Sequence, residues 1–424
     1  MQAPLSRKAG WAIALVATLA MTVSYVDRQT LAALAPTVCS ALKIDATHYG
    51  WLTSAFSLSY LVGAPLAGWM LDRVEARRGL VFSVLVWSAV SAAHAWVPSF
   101  GVLFLLRVAL GAAEAPSFPG AAQTVGRVLP PGDRSTGYGL IFTGSSIGAM
   151  FAAPLAIWLT IHFGWQRAFI GTALAGLVWI PLWLLVTRSP AARAAMGAPA
   201  APDTPRANAP RVAHDAHAAY DPIGSPLRLL GNPAVLRAAV LVFVSAPGLM
   251  FVLNWYSKYL VLAHGLTQND LGKYLWLPPV LFDIGAVGFG MLASRRDRRH
   301  ASPRSHVELV MAGAGLASAL ALVPFVHDPV IAVILGGIAM AGGGACYVVA
   351  TADMLRRVDP RAASRAGGFT AASQSLAHII AGPLIGAVVD RTHSYTSVLI
   401  VLGLMIVPGA IAWIAWPMPE PGRV

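Results

Sequence analysis

Charge is what this chain has least of. Only 11% of its 424 residues are Asp, Glu, Lys or Arg, where soluble domains carry about 25%. The polar surface needed to cover a water-soluble fold of this length is missing. Cysteine is scarce too: two residues, Cys39 and Cys346, exclude a secreted disulfide scaffold. At 57% hydrophobic the chain is too apolar for intrinsic disorder. It contains no His-Glu-x-x-His metal spacing, no phosphate-cradling loop and no nucleophile–base motif. No metal, cofactor or catalytic residue is therefore expected, and the chain reads as a non-enzyme. The Gly342-Gly343-Gly344 run lies inside an apolar stretch, where it suits close helix packing.

What the chain does have is long apolar runs. A membrane helix needs about 20 such residues. Twelve candidates follow, near 11–36, 49–71, 79–97, 101–127, 136–161, 166–187, 234–261, 270–292, 306–326, 329–350, 364–389 and 394–416. Their length selects helices over a barrel, whose strands take about ten alternating residues. The first run follows Arg7 and Lys8 but is too long for a signal peptide, so it is expected to remain as the first helix. The expected fold is an all-α membrane protein of twelve helices in two six-helix bundles.

Charge placement orients it. Most of the 30 Lys and Arg fall at the N-terminus, in the connections 72–78, 127–135, 188–233, 293–305 and 355–365, and at the C-terminus. Positive loops face the cytoplasm, so both termini are expected there, in a multi-pass protein of the inner membrane. The blocks RVEARR (73–78), RRDRRH (295–300) and RRVDPRAASR (356–365) are then topology determinants lying against anionic headgroups, and the net charge of +12 does not point to nucleic acid.

The connection over 188–232 is rich in Ala, Pro, Arg and His and shows no apolar stripe. It reads as a mobile cytoplasmic linker between bundles at 1–187 and 233–424, and His214 and His217 on it make a weak metal site at most. The spans split evenly around it. Setting Pro154 against Pro383 pairs Gly139 with Gly368 and Ser146 with Ser375, a parallel repeat of the kind rocking-bundle carriers use, with the substrate site near the midplane. The same pairing sets Asp27 against Tyr256, Arg107 against Gly336 and Glu114 against Gly343. Ion coupling is therefore expected in the first half.

Four ionisable residues sit deep in that half: Asp27, Arg28, Arg107 and Glu114. Each costs about 2.5–3.5 kcal/mol at mid-helix if unpaired, so a solvated cavity or mutual pairing is required. Arg107 and Glu114 share one stripe about 10 Å apart along the axis, with Gly111 leaving room for a neighbouring helix or a ligand. Tyr25 and Arg28 share a face, and Asp27 is turned about 100° away. Arg28 stays charged and presents a fork matched to a carboxylate. Asp27 and Glu114 are the candidates to load and release protons under the influence of Arg107. The alternative is a static ion-pair cluster tying the first and fourth helices. The second half offers Asn254, Trp255, Tyr256, Lys258 and Tyr259 on the seventh helix, Trp276 and Asp283 on the eighth, Tyr347 on the tenth, and Ser373, Gln374 and His378 on the eleventh. Aromatic faces with amides and hydroxyls suit a polyhydroxylated ligand, although any single aromatic also suits packing or an interfacial anchor.

The stretch GWMLDRVEARR (68–78) resembles the signature of the major facilitator superfamily, with Gly68, Asp72, Arg73, Arg77 and Arg78 matching and Glu75 in place of Gly. The resemblance implies that this loop is a cytoplasmic gate. More narrowly, YVDRQTLAALAP (25–36), RVALGAAEAPSFPGAAQTV (107–125), RSTGYGLIFTGSSIGAMFAAPLA (134–156) and FGWQRAFI (163–170) resemble the anion:cation symporter family, which takes up sugar acids and other organic anions with protons. By that resemblance Arg28 holds the substrate carboxylate with Tyr25 and Tyr60, while Asp27 and Glu114 carry protons and Arg107 modulates them. Aldonate carriers of the family have Gln on the fifth helix where Ser145 stands here. Residues 255–290, with Lys258 and Asp283, look most like the hexuronate branch, and Ser257 stands where a Pro is usual. The expectation is a monomeric, proton-coupled importer of a sugar acid, with a small organic anion, protons and the bilayer as its partners. Its substrate-binding set is Tyr25, Arg28, Tyr60, Ser145, Asn254, Trp255, Lys258 and Gln374. Import of an aldonate, aldarate or aromatic acid, export of hydrophobic compounds, and a flux-free sensor are the alternatives.

Overall fold

The computed structural model describes residues 5–74, 76–197, 231–299, 306–358 and 363–416. Glu75, His214, His217 and most of the 188–232 connection lie outside the described residues, as do the side chains of Gly68 and Asp72. Among the described residues all regular structure is helical. Eleven helices are long and apolar enough to cross a membrane. With the helix Ala46–Val74 they run, in chain order, α1 (Arg7–Leu42), α2 (Ala46–Val74), α3 (Ala76–Trp96), α4 (Phe100–Val128), α5 (Pro131–Phe163), α6 (Trp165–Val186), α7 (Pro233–His264), α8 (Gln268–Arg296), α9 (Val307–Phe325), α10 (Pro329–Leu355), α11 (Ala366–Thr392) and α12 (Thr396–Ala415). The α2 helix, at 29 residues, is also long enough to span a bilayer.

Local chemistry sets the boundaries. Ser6 caps α1 by accepting the Ala9 N–H at 3.3 Å. Asn232 and Asp328 cap α7 and α10, each followed by proline at the first helical position, where the missing N–H costs no hydrogen bond. A Thr267–Asp270 capping box starts α8. Gly164 (φ 87°) after α5 and Gly265 (φ 64°) after α7 take positive φ, which glycine adopts without a Cβ penalty, and Gly265 is left-handed. Two helices are interrupted where the site will be found. Pro116 divides α4 into Phe100–Glu114 and Ser117–Val128, because its ring and missing N–H break the ladder. Just after Pro247, α7 opens into a π-helical turn over Phe251–Trp255.

The apolar side chains gather in three cores. One is built only from α1–α6 and the short helix Pro190–Gly197, around Ile13, Leu80, Trp87, Leu110 and Trp183. A second is built only from α7–α12, around Leu241, Val310, Val349 and Trp413. The third draws on both groups, joining Leu34, Tyr49 and Ile157 to Phe251, Tyr259, Leu271 and Leu399. This shared core lies toward the helix ends next to residues 43–45, 164, 265–267 and 393–395, and the separate cores lie toward the opposite ends. The two six-helix groups are thus fused at one end and parted at the other.

At the fused end the contact is backbone on backbone. A Cβ on Gly50 would overlap the Gly382 carbonyl, and one on Gly386 would overlap Ala46, so α2 and α11 meet without intervening side chains. The Asp390 carboxylate, from α11, accepts the Ala46 N–H at 2.9 Å and the Thr47 N–H at 2.7 Å, capping α2 from the other group. Gln268 donates to the Ala33 carbonyl at 2.9 Å and accepts from Thr37 at 2.7 Å. Ser54 donates to Ile379 at 2.8 Å.

One expectation changes. The connection after α6 does not begin as featureless linker: Pro190–Gly197 is a helix, capped by Ser189 accepting from the Ala192 N–H at 3.1 Å, with Ala192 and Met196 buried against the first group. An Ala–Met pair four residues apart is a short apolar stripe, easily lost in an alanine-rich sequence.

Candidate functional site

Arg28 is the centre of the site. Ser24 and Arg28 lie one helical turn apart on α1, so both reach the same acceptor, Oε2 of Glu114 on α4. Ser24 donates at 2.8 Å, and Arg28 through Nη2 at 3.1 Å and Nε at 3.3 Å. The guanidinium carbon is 4.5 Å from the centre of the Tyr25 ring, 4.6 Å from Phe56 and 4.8 Å from Tyr60, a three-ring cage for a cation. Phe56 and Tyr60 stack on each other along α2 at 6.0 Å. The Glu114 side chain is 0% exposed and that of Arg28 is 16%, so the arginine is the accessible member of the pair. Gly111 admits the neighbouring helix: a Cβ there would overlap the Phe56 carbonyl and the Ser59 hydroxyl. That approach of α4 to α2 sets Glu114 beside the cage.

Asp27 turns the other way, as its position on α1 requires, and accepts from Ser91 on α3 at 2.8 Å. Arg107 lies 4.8 Å from the Phe56 ring, so one aromatic serves both guanidiniums. Asp27 and Arg107 are buried. Oδ2 of Asp27, Oε1 of Glu114 and two Arg107 N–H groups have no hydrogen-bond partner among the described residues.

The α7 residues gather elsewhere, at the fused end. Trp255 is fully buried, edge-on to Tyr49 at 4.9 Å. The Asn254 side chain donates to the Met250 carbonyl at 3.2 Å, while the main-chain carbonyl of Asn254 accepts from the Tyr49 hydroxyl. Lys258 lies 4.7 Å over the Tyr49 ring. Tyr256 is buried against Gly336, with its hydroxyl on the Ala332 carbonyl. Ser145 and Gln374 are partly buried on α5 and α11. Ser373 donates to Ala239 at 2.8 Å. Ser146 reaches across from α5 to Asp283 on α8, donating at 2.6 Å. Of the loop after α2, Arg77 donates to Thr187 at 3.1 Å, and Arg73 and Arg78 are exposed.

Three features escaped the sequence reading. Phe56 was signalled by its one-turn spacing from Tyr60. Ser24 was signalled by the same spacing from Arg28. The third is a buried hub in the second group, where Asp353 accepts from Arg357 at 3.0 and 3.1 Å and from Arg356 at 3.2 Å, with Arg237 at 3.6 Å. Arg237 in turn lies 3.6 Å over Trp413. Asp353 with arginines three and four residues on, at the end of an apolar run, was its signal.

A helical membrane frame joined at one end, with a caged arginine and a buried carboxylate between its helices, defines a polytopic transporter. More particularly, residues 17–305 match the Major Facilitator Superfamily model, and the chain belongs to that superfamily; it is a transporter and not an enzyme. It is similar to the hexuronate transporter of Escherichia coli (strain K12), 27% identical over 410 residues that cover 95% of this chain and 92% of that one. It is also similar to the hexuronate transporter of Bacillus subtilis (strain 168), 26% identical, covering 96% and 94%. The probable galactarate/D-glucarate transporter GarP of Escherichia coli (strain K12) is 25% identical, covering 92% and 90%. In fold the chain is similar to a bacterial homolog of the human lysosomal transporter Spinster in an inward-facing, unoccupied conformation, with a TM-score of 0.73 at 18% identity, covering 96% of this chain and 95% of that one. The nucleoside transporter NupG gives a TM-score of 0.69 at 15% identity, covering 95% and 98%.

Proposed function

We propose that this protein is a proton-coupled symporter of the anion:cation symporter family that imports a carboxylate-bearing sugar acid, a hexuronate such as glucuronate or galacturonate first. The observation that carries the reading is the Arg28–Glu114 pair, in which an accessible guanidinium in an aromatic cage is held by a sealed carboxylate. A substrate carboxylate competes for the same guanidinium. Two carboxylates beside one arginine in a poorly hydrated site repel, and a proton on Glu114 removes the conflict. Anion and proton therefore enter together. On release of the anion, Glu114 gives up its proton and returns to Arg28. Asp27 is the second proton carrier, and Arg107 biases both carboxylates.

The frame supports alternating access. The basic connections lie at the parted end, and by the positive-inside rule that end faces the cytoplasm of an inner-membrane protein. The structure is then the inward-open state of a twelve-span carrier, with α2 as the twelfth span and with residues 1–187 and 233–424 rocking as monomeric units. Gly68, Asp72, Arg73, Arg77 and Arg78 close the parted end when the fused end opens. Tyr25 and Tyr60 position Arg28. Ser145, Asn254, Trp255, Lys258 and Gln374 meet the sugar once the groups rock. The substrate class follows the relatives named hexuronate transporter. The test is uptake of labelled glucuronate into proteoliposomes. An inward proton gradient should drive accumulation that a protonophore abolishes, and glucuronate uptake indifferent to the gradient would sink the coupling.

A further inference from the structure

The second group also reaches the Arg28 cage, through α11. Arg28 and His378 each stand fourteen residues before the fused end of their helices, at Leu42 and Thr392, about 21 Å along the axis, so they share one depth. The seam between α2 and α11 brings them near. Antiparallel contacts at Gly50–Gly382 and Ala46–Gly386 fix its register, and Ser54 continues it by donating to the Ile379 carbonyl at 2.8 Å. His378 is therefore level with the turn of α2 that holds Ser54 and Phe56, and Phe56 is a wall of the cage. Across the gap between the groups, Arg28 is the charged side chain within electrostatic reach of the His378 ring. Tyr347 on α10 stands in the same relation to Tyr25, another wall of the cage. The Ala246 carbonyl of α7 lies beside the His378 ring. Its Nε2 is covered and has no hydrogen-bond partner among the described residues.

We infer that His378 is a specificity-determining residue of the second group: it bonds a ligand hydroxyl close to the carboxylate that Arg28 holds, so the carrier selects hydroxy acids over plain carboxylates. The inference rests on the reading of Arg28 as the anion anchor. A neutral imidazole offers one donor and one acceptor. A hydroxyl offers both as well, whereas a carboxylate only accepts, and Arg28 supplies its donors as a fork. The two side chains thus divide the head of the ligand between them. Leaving a covered nitrogen unbonded is costly, and sites built to bond a hydroxyl reject analogues lacking it. In a pyranose hexuronate the hydroxyl nearest the carboxylate is the one on C4. Because Arg28 and His378 belong to different groups, a ligand bonded to both also draws the groups together.

Competition against labelled glucuronate uptake in proteoliposomes tests this, with 4-deoxyglucuronate as the probe that keeps the carboxylate and lacks that hydroxyl. In the wild type, unlabelled glucuronate should compete at least about tenfold better than 4-deoxyglucuronate. His378→Phe, which keeps a ring but no polar atom, should narrow that ratio to about threefold or less by weakening glucuronate. His378→Asn, which keeps a donor and an acceptor, should retain more of the preference. Equal competition in the wild type overturns the inference without any variant having to fold. So does a His378→Phe protein in which both sugars weaken by the same factor, the mark of a packing role. Loss of uphill accumulation with the ratio intact, the mark of a proton carrier, overturns it too. A wild type that takes up no sugar acid at all would instead overturn the proposed function.

Discussion

The two six-helix groups bury charge in different places. In the first, Asp27, Arg28, Arg107 and Glu114 lie deep in the membrane among aromatic rings, with several polar atoms left unmatched. In the second, the dense cluster around Asp353 lies toward the parted end, and arginines surround its carboxylate. At the position the repeat pairs with Asp27, the second group has Tyr256, whose ring fills the space over Gly336, the partner of Arg107. Bulk has taken the place of charge. The difference teaches that one scaffold holds charge in two ways: Asp27 and Glu114 at depth each keep one oxygen without a hydrogen-bond partner among the described residues, whereas both oxygens of Asp353 are bonded by arginines near the end, where they hold helices together.

The largest effect expected from this contrast is at Arg28. Arg28→Ala should reduce sugar-acid uptake in proteoliposomes to background, whereas Lys258→Ala, at the fused end, should leave measurable uptake. Equal losses would erase the distinction. Next, Glu114→Gln should abolish accumulation against a gradient but retain counterflow exchange, since an amide mimics the protonated carboxyl; persistent uphill accumulation would show that the proton is carried elsewhere. In the second group, Asp353→Ala should act on stability. Stranding Arg237 and Arg357 without their carboxylate costs about 3–5 kcal/mol, read as a lowered unfolding temperature in detergent, while the protein that folds stays proton-coupled. The smallest effect is at the fused end. Asp390→Asn weakens a cap worth about 1 kcal/mol, enough for about a fivefold shift between states. Maleimide labelling of Cys39, buried in the shared core, should accelerate by that factor in a Cys346→Ser background.

Much of this was legible in the sequence because it is local. Apolar runs of span length gave the helices, and Asn232-Pro233 and Asp328-Pro329 marked where two of them begin. Arg28 stood out because an arginine in an apolar run has no packing excuse. The pairings were harder to see. Asp390 caps a helix 344 residues earlier in the chain, and nothing in the periodicity of α11 announces it. Whether Glu114 would face Arg28 or Arg107 depended on how closely α4 approaches α2, which Gly111 decides only once its neighbour is known. Trp255 and Lys258, read as candidate ligand contacts, pack with Tyr49 in this structure, a pairing hidden from the sequence because the π-helical turn Phe251–Trp255 changes the rotation of everything after it by a fraction that residue spacing does not encode.

The bare contact of Gly50 with Gly382 has one more consequence. With no side chain interposed, the closeness of the two bundles is limited by peptide atoms alone, and a single added methyl group would act as a shim. Alanine at either glycine would prop the fused end ajar, and under the proposed cycle a carrier so wedged would be the form needed to trap its opposite half.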